Sequence, residues 1–195
     1  LKWDCATRGG THGSPAIGND GSLYFGTWGG RVYALDGETG NKKWERTTGR
    51  INLASPVIGN DGTVYFGSWD KTIYALDGRT GKSKWEFNAQ GTINTAPTIG
   101  TDGTVYIGSW DKTLYALDEI TGKKKWEFVG TAAFSSSPVL SNEGLLFVGS
   151  MDRHLYVIKT ASRGLADSPW PMRGQNPQHT GRAIVTSASP ASTGP

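Results

Sequence analysis

Thr63-Val64-Tyr65-Phe66-Gly67-Ser68-Trp69-Asp70-Lys71-Thr72-Ile73-Tyr74-Ala75-Leu76-Asp77 holds two runs rich in β-branched and aromatic residues, divided by a short polar break. That is the pattern of two paired strands. Outward on the N-terminal side, Ser55-Pro56-Val57-Ile58 is separated from the first run by Asn60-Asp61-Gly62, whose Asp-Gly supplies the positive backbone torsions of a tight hairpin. On the C-terminal side, Gly78-Arg79-Thr80-Gly81 turns the chain, and Lys82-Ser83-Lys84-Trp85-Glu86-Phe87 alternates as a fourth strand. Four strands in meander order, joined by short turns, make one twisted antiparallel sheet. No helix-length periodic segment interrupts them.

The unit recurs. Trp3, Trp44, Trp85 and Trp126 stand 41 residues apart, and Pro15, Pro56, Pro97 and Pro138 keep the same step. Tandem units of this length cannot bury an apolar face alone, and stacking against neighbours creates the core. The expected fold is all-β: a β-propeller of four four-stranded antiparallel blades of 41 residues over 1–160. A β-solenoid fits less well, because its coils are shorter and carry fewer hairpins.

The two ends of the array are out of phase. Leu1-Lys2-Trp3 matches a fourth strand, whereas the last copy supplies only Ser137-Pro138-Val139-Leu140, Leu145-Leu146-Phe147-Val148 and His154-Leu155-Tyr156-Val157-Ile158. Three closures are open: the first strand completes the last blade, two copies pair into eight blades, or Trp170 supplies the last outer strand of a longer propeller. Residues 161–185 are expected to close or dock the array. The small, polar stretch 186–195 reads as a flexible tail or linker.

Composition suits a folded domain, at 36% hydrophobic and 19% charged. The net charge of +3 is spread over every repeat, which argues against a nucleic-acid footprint. A single cysteine, Cys5, excludes an internal disulfide and a Cys-built zinc site. No stretch has the roughly 18 apolar residues of a membrane span, and the chain opens on Leu1 without a basic and apolar leader. Lysines on the outer strands, among them Lys42, Lys43, Lys84 and Lys125, discourage edge-to-edge pairing.

Ala34-Leu35-Asp36-Gly37-Glu38-Thr39-Gly40-Asn41-Lys42-Lys43-Trp44 and its copies Ala75 to Trp85 and Ala116 to Trp126 resemble the Ala-x-Asp-x-x-x-Gly-x-x-x-Trp tryptophan-docking motif. That motif marks the pyrroloquinoline quinone (PQQ)-like propeller repeat family, which includes quinoprotein alcohol dehydrogenases and BamB-type proteins of outer-membrane protein assembly. The segment from Pro169 to Gly181 also resembles a phrase at the ends of bacterial proteins of this group. The resemblance implies that Trp3, Trp44, Trp85 and Trp126 pack between blades. It further implies that Asp36, Asp77 and Asp118 serve their turns, with Gly40, Gly81 and Gly122 as the motif glycines. It implies a bacterial, periplasmic or extracellular protein.

Departures from the pattern bear on function. Lys159 replaces the docking aspartate and Arg163 the glycine in the last copy. Quinone-dependent members of the family carry adjacent cysteines, calcium ligands and a catalytic aspartate on an insertion; one cysteine and no long insertion leave the expectation at no cofactor, with PQQ and calcium only under a dehydrogenase alternative. His12, His154 and His179 lack metal-ligand spacing. Ser135-Ser136-Ser137 lacks a nucleophile elbow, and Asp20, Asp61 and Asp102 belong to hairpin turns. No catalytic residue is assigned.

The recurrent feature left over is the turn between second and third strands: Trp28-Gly29-Gly30, Trp69-Asp70-Lys71, Trp110-Asp111-Lys112 and Met151-Asp152-Arg153. In a propeller it opens on the same face as the loops between blades. Trp28, Trp69, Asp70, Trp110, Asp111, Met151 and Asp152 thus form a candidate binding rim. The reading is a noncatalytic, BamB-like module for a protein or peptide partner. The alternatives are a fragment of a PQQ-dependent dehydrogenase and a glycan-binding propeller using the rim tryptophans. A homodimer remains open.

Overall fold

The structure, a computed structural model, describes residues 1–49 and 54–175. Blade 1 comprises β1 (Ala16–Ile17), β2 (Ser22–Thr27), β3 (Arg31–Asp36) and β4 (Lys42–Thr47). Blade 2 comprises β5 (Val57–Ile58), β6 (Thr63–Gly67), β7 (Thr72–Asp77) and β8 (Ser83–Asn88). Blade 3 comprises β9 (Thr98–Ile99), β10 (Thr104–Gly108), β11 (Thr113–Asp118) and β12 (Lys124–Val129). Blade 4 has β13 (Val139–Leu140), β14 (Leu145–Gly149) and β15 (Leu155–Lys159), the three strands its sequence supplies. Each sheet is an antiparallel meander, and the four form the blades of an all-β propeller that stays open.

Blades 2 and 3 are covered on both faces, so β6, β7, β10 and β11 are buried almost throughout, whereas outer β8 alternates with solvent. The core is therefore divided. One cluster lies between blades 1 and 2 around Tyr24, Ile58 and Phe66. A second, between blades 2 and 3, gathers Tyr65, Ile73, Ile93 and Ile107, and a third, between blades 3 and 4, gathers Tyr106, Leu114, Phe134 and Leu146. Each such side chain contributes roughly 1.5–3 kcal/mol on burial.

The repeated tryptophans join the blades. Trp3, Trp44 and Trp85 donate their indole N–H to the carbonyls of Gly37, Gly78 and Glu119 at 3.1, 2.6 and 2.9 Å, each across a blade boundary. Tyr24 and Tyr65 donate to the same two carbonyls of Gly78 and Glu119 at 3.1 Å. Gly40, Gly81 and Gly122 have φ of +75°, +70° and +69°, and a Cβ on them would lie 2.5–2.8 Å from the ring of Trp3, Trp44 or Trp85. Glycine thus answers both the turn geometry and the indole lying on it. Oδ1 of Asp36, Asp77 and Asp118 accepts bonds from the backbone and hydroxyl of Thr39, Thr80 and Thr121, closing each turn.

The outer-strand lysines have a second role. Ala34 faces Trp44 and Leu35 faces Lys42, so Lys43 is an extra residue in the ladder; Lys84 and Lys125 are its counterparts. A bulge of this kind re-aims a side chain. Lys43 Nζ reaches Ser22 at 2.6 Å, Lys84 reaches Thr63 at 2.6 Å and Asp61 at 2.7 Å, and Lys125 reaches Thr104 at 2.9 Å.

At its leading end the chain docks Trp3 on blade 1 as the outer strand of a preceding blade would. Among the described residues no ladder joins it to β15, so the first strand does not complete blade 4 here. Trp170 is not an outer strand either. After β15 the chain turns inward and runs along the innermost strands, with Leu165 bridging Gly100, Met172 bridging Thr98 and Trp170 bridging Ile58. Ile58 N donates to Trp170 O at 2.7 Å and Ile99 N to Pro171 O at 2.8 Å. An indole with apolar neighbours on both sides gains more on the axis than on an exposed edge, and Trp170 is 4% exposed. The tail 186–195 and the rest of 176–195, His179 included, lie outside the described residues.

Candidate functional site

The loop face collects the turns between second and third strands and the segments that lead from one blade to the next. Its aspartates are knots. Asp111 accepts from Thr113 N (2.9 Å), Gln90 N (2.9 Å), Gly91 N (3.0 Å) and the Tyr115 hydroxyl (2.8 Å). Asp70 likewise accepts from Thr72 N, Gly49 N and the Tyr74 hydroxyl. Asp152 accepts from His154 N, Thr131 and the Tyr156 hydroxyl. Burial pushes Asp111 up, but hydrogen bonds from Tyr115, Ser109 and Thr113 outweigh it and hold the carboxyl below its usual range. The Thr131 hydroxyl, with Tyr156 and His154 N, holds Asp152 well below that range. Tyr74 and Tyr115 are pushed up to about 12 by burial and by their aspartates.

Blade 1 has Gly29 in place of the aspartate, and the loop at Arg8 lies directly on it: a Cβ there would be 2.2 Å from Arg8 O. The next position of the turn takes a left-handed backbone in every blade, with φ of +67° at Gly30 and +71° to +74° at Lys71, Lys112 and Arg153. With three carboxylates engaged inside the fold, the outward part of the rim is left to apolar side chains and to the exposed cations Lys71, Lys112 and Arg153. Trp28 and Trp110 are 48% exposed and Met151 58%. Trp69 is more covered. His12 packs on Trp28, ring centroids 5.3 Å apart, and links the rim to the axis.

At the axis the segments leading into all four inner strands converge on a cavity of about 280 Å³, lined by His12, Ser55, Asn94, Ser135, Ser137 and, from the C-terminal segment, Arg173. Two of these serines tie blade to blade: Ser14 N donates to Ser55 Oγ at 2.9 Å and Ala96 N to Ser137 Oγ at 3.0 Å. The opposite face bears a cavity of about 380 Å³ beside the hairpin turns of Asp20 and Asp61, with Asp77, Arg79 and Pro169. Among the described residues no group of three or more His, Cys, Asp and Glu is placed to hold a metal ion. No helix of the described residues is long and apolar enough to cross a membrane.

Sequence reading singled out the rim and missed the axial cavity. Its repeating part had a signal, because His12, Asn94 and Ser135 share one repeat position and Ser14, Ser55 and Ser137 another. Arg173 belongs to no repeat, and no periodic signal could have found it.

Open antiparallel blades tied by indoles at a constant step define a PQQ-like β-propeller. A family model described as outer membrane protein assembly factor BamB matches residues 2–99 and 29–166, and the chain belongs to that family. BamB from Moraxella catarrhalis is similar in structure, with a TM-score of 0.64 at 24% identity over 84% of this chain and 57% of that one. The chain thus spans little more than half the length of that BamB. Two computationally designed proteins share the fold. Ika4 has a TM-score of 0.70 at 16% identity over 80% of this chain and 94% of its own, and Ika8 0.66 at 17% over 75% and 45%. No curated protein matches the chain.

Proposed function

We propose that this chain is a noncatalytic β-propeller module that binds polypeptide on its loop face, in the manner of a BamB-type assembly factor working outside the cytoplasm. The observation that carries the reading is the contrast on that face. The aspartates of the rim are spent on internal hydrogen bonds, while Trp28, Trp110 and Met151 offer half-exposed apolar surface. Half-exposed indoles on a framework held by hydrogen bonds are good anchors, since little side-chain entropy is lost on contact. Family membership supports a bacterial, periplasmic setting, which belongs to the same proposal.

The test is a titration of the chain with blocked peptides of alternating apolar and polar residues, followed by tryptophan emission. Binding that weakens tenfold or more in the Trp28→Ala/Trp110→Ala double variant supports the reading. A response to oligosaccharides and not to peptides would replace it with the glycan-binding alternative. A bound chromophore after addition of PQQ and calcium would replace it with the dehydrogenase alternative.

A further inference from the structure

The axial cavity is rich in donors and holds one full positive charge with no carboxylate to match it. Its described lining contains a guanidinium, an imidazole, a carboxamide and three serine hydroxyls, and no Asp or Glu. Arg173 is exposed and forms no ion pair among the described residues. Ser55 Oγ and Ser137 Oγ each already accept a backbone N–H, which leaves their own hydroxyl protons to donate elsewhere.

A break in the repeat adds a further donor. In two of the three blade junctions the amide at this position is held by the hydroxyl of the next blade: Ser14 by Ser55, and Ala96 by Ser137. At the middle junction the next blade carries Ala96, which has no hydroxyl, so the Ser55 amide lacks the acceptor its counterparts have. Ser55 and Arg173 line the same cavity, and a group that only accepts could serve both the free N–H and the unpaired guanidinium. A carboxylate does so with two oxygens, and arginine meets it in a planar fork. The volume of about 280 Å³ lies near the low end for ligand pockets. It suits one acidic side chain or a small free acid.

We propose that this axial cavity is a carboxylate-binding site, with Arg173 as the charged partner, the Ser55 amide and the Asn94 carboxamide as further donors, and an acidic residue of a bound polypeptide as the group it takes. The inference rests on the loop face being a polypeptide-binding surface and adds a chemical preference to it: apolar contacts at the rim and one acid at the centre. A carboxylate offers the guanidinium two oxygens and a counter-charge, whereas the isosteric amide offers one oxygen and no charge, which favours the acid.

The test uses the whole chain and three probes, a blocked peptide with a central Glu, the same peptide with Gln, and glutarate, each titrated by calorimetry and by amide chemical shifts. The Glu peptide is expected to bind at least tenfold more tightly than the Gln peptide, with shifts at the Ser55 amide and the Asn94 side chain. Arg173→Gln, on an exposed residue, should erase that difference, and Asn94→Asp should do so by placing a like charge in the cavity. Equal affinity of the two peptides, with Arg173→Gln without effect, overturns the carboxylate site and leaves the loop-face reading standing. Binding of glutarate alone, lost in Arg173→Gln, keeps the carboxylate site and removes the polypeptide as its source. If none of the three probes binds, both readings fall.

Discussion

Asp111 compresses the logic of the loop face into one side chain. Oδ1 closes its own turn through Thr113 N, and Oδ2 takes Gln90 N, Gly91 N and the Tyr115 hydroxyl, so a turn, an inter-blade segment and a strand meet at one carboxylate. Its folded pKa lies below the ordinary value near 3.9. The carboxylate therefore contributes stability that is present above about pH 4 and is lost as the pH falls through the lower, folded value. Asp111→Asn keeps the volume but exchanges an acceptor oxygen for an NH2 group. If that group falls at Oδ2, the amides of Gln90 and Gly91 lose their acceptor. If it falls at Oδ1, Thr113 does. The expected cost is about 1–3 kcal/mol at neutral pH, read from urea unfolding midpoints, and the gap to the parent chain should close as the solution is acidified. A gap that stays constant down to about pH 3 would show that the carboxylate's charge is not what the knot uses.

Among the elements, the C-terminal segment has most to say. Leu165 packs on the core between blades 3 and 4, Ala166 on that between blades 2 and 3, and Trp170 on that between blades 1 and 2. Trp170→Ala is expected to cost about 3–5 kcal/mol, with faster hydrogen exchange at the Ile58 and Ile99 amides than at those of β10 and β11. Unchanged exchange at Ile58 and Ile99 would mean that the segment rests on the blades without bracing them. This segment also marks where sequence reading stops. The strands of Thr63 to Asp77, the Asp-Gly turns and the wedge tryptophans could be read because period-2 patterning and a 41-residue step are local or repeated signals. The bulge that sends Lys84 back to Thr63 was equally periodic but hidden, because a lysine on an outer strand is sufficiently explained by solvent. The path of Trp170 depends on contacts with residues far away in sequence, and nothing in Pro169-Trp170-Pro171 states them.

At the scale of the molecule, the four blades leave two unlike open ends. Blade 1 is partly covered by residues 1–5, over a cavity of about 280 Å³ lined by Trp3, Cys5, Leu23, Phe25 and Leu35. Blade 4 presents Leu155 at 66% and Val157 at 51% exposure, beside a β15 edge without a partner strand among the described residues. An apolar sheet face next to a free edge is an association surface. The chain, of 20.9 kDa, is expected to sediment with growing apparent mass as its concentration rises. Val157→Lys should return it to the mass of a single chain. A parent chain that stays at the mass of one copy at high concentration would show that these faces do not attract each other.

The bridges of Trp170 to Ile58 and of Met172 to Thr98 have a consequence for how the protein comes to be made. The strands from β6 to β15 lie between Ile58 and Trp170 in the chain, so the loop entropy of that contact is met only after three blades have been made. Within a blade the strands pair through short-range hairpins, and each new blade buries its face on the one before it. Their alignment waits for the segment from Leu165 to Met172, and a product cut before it would hold correct sheets without a fixed spindle.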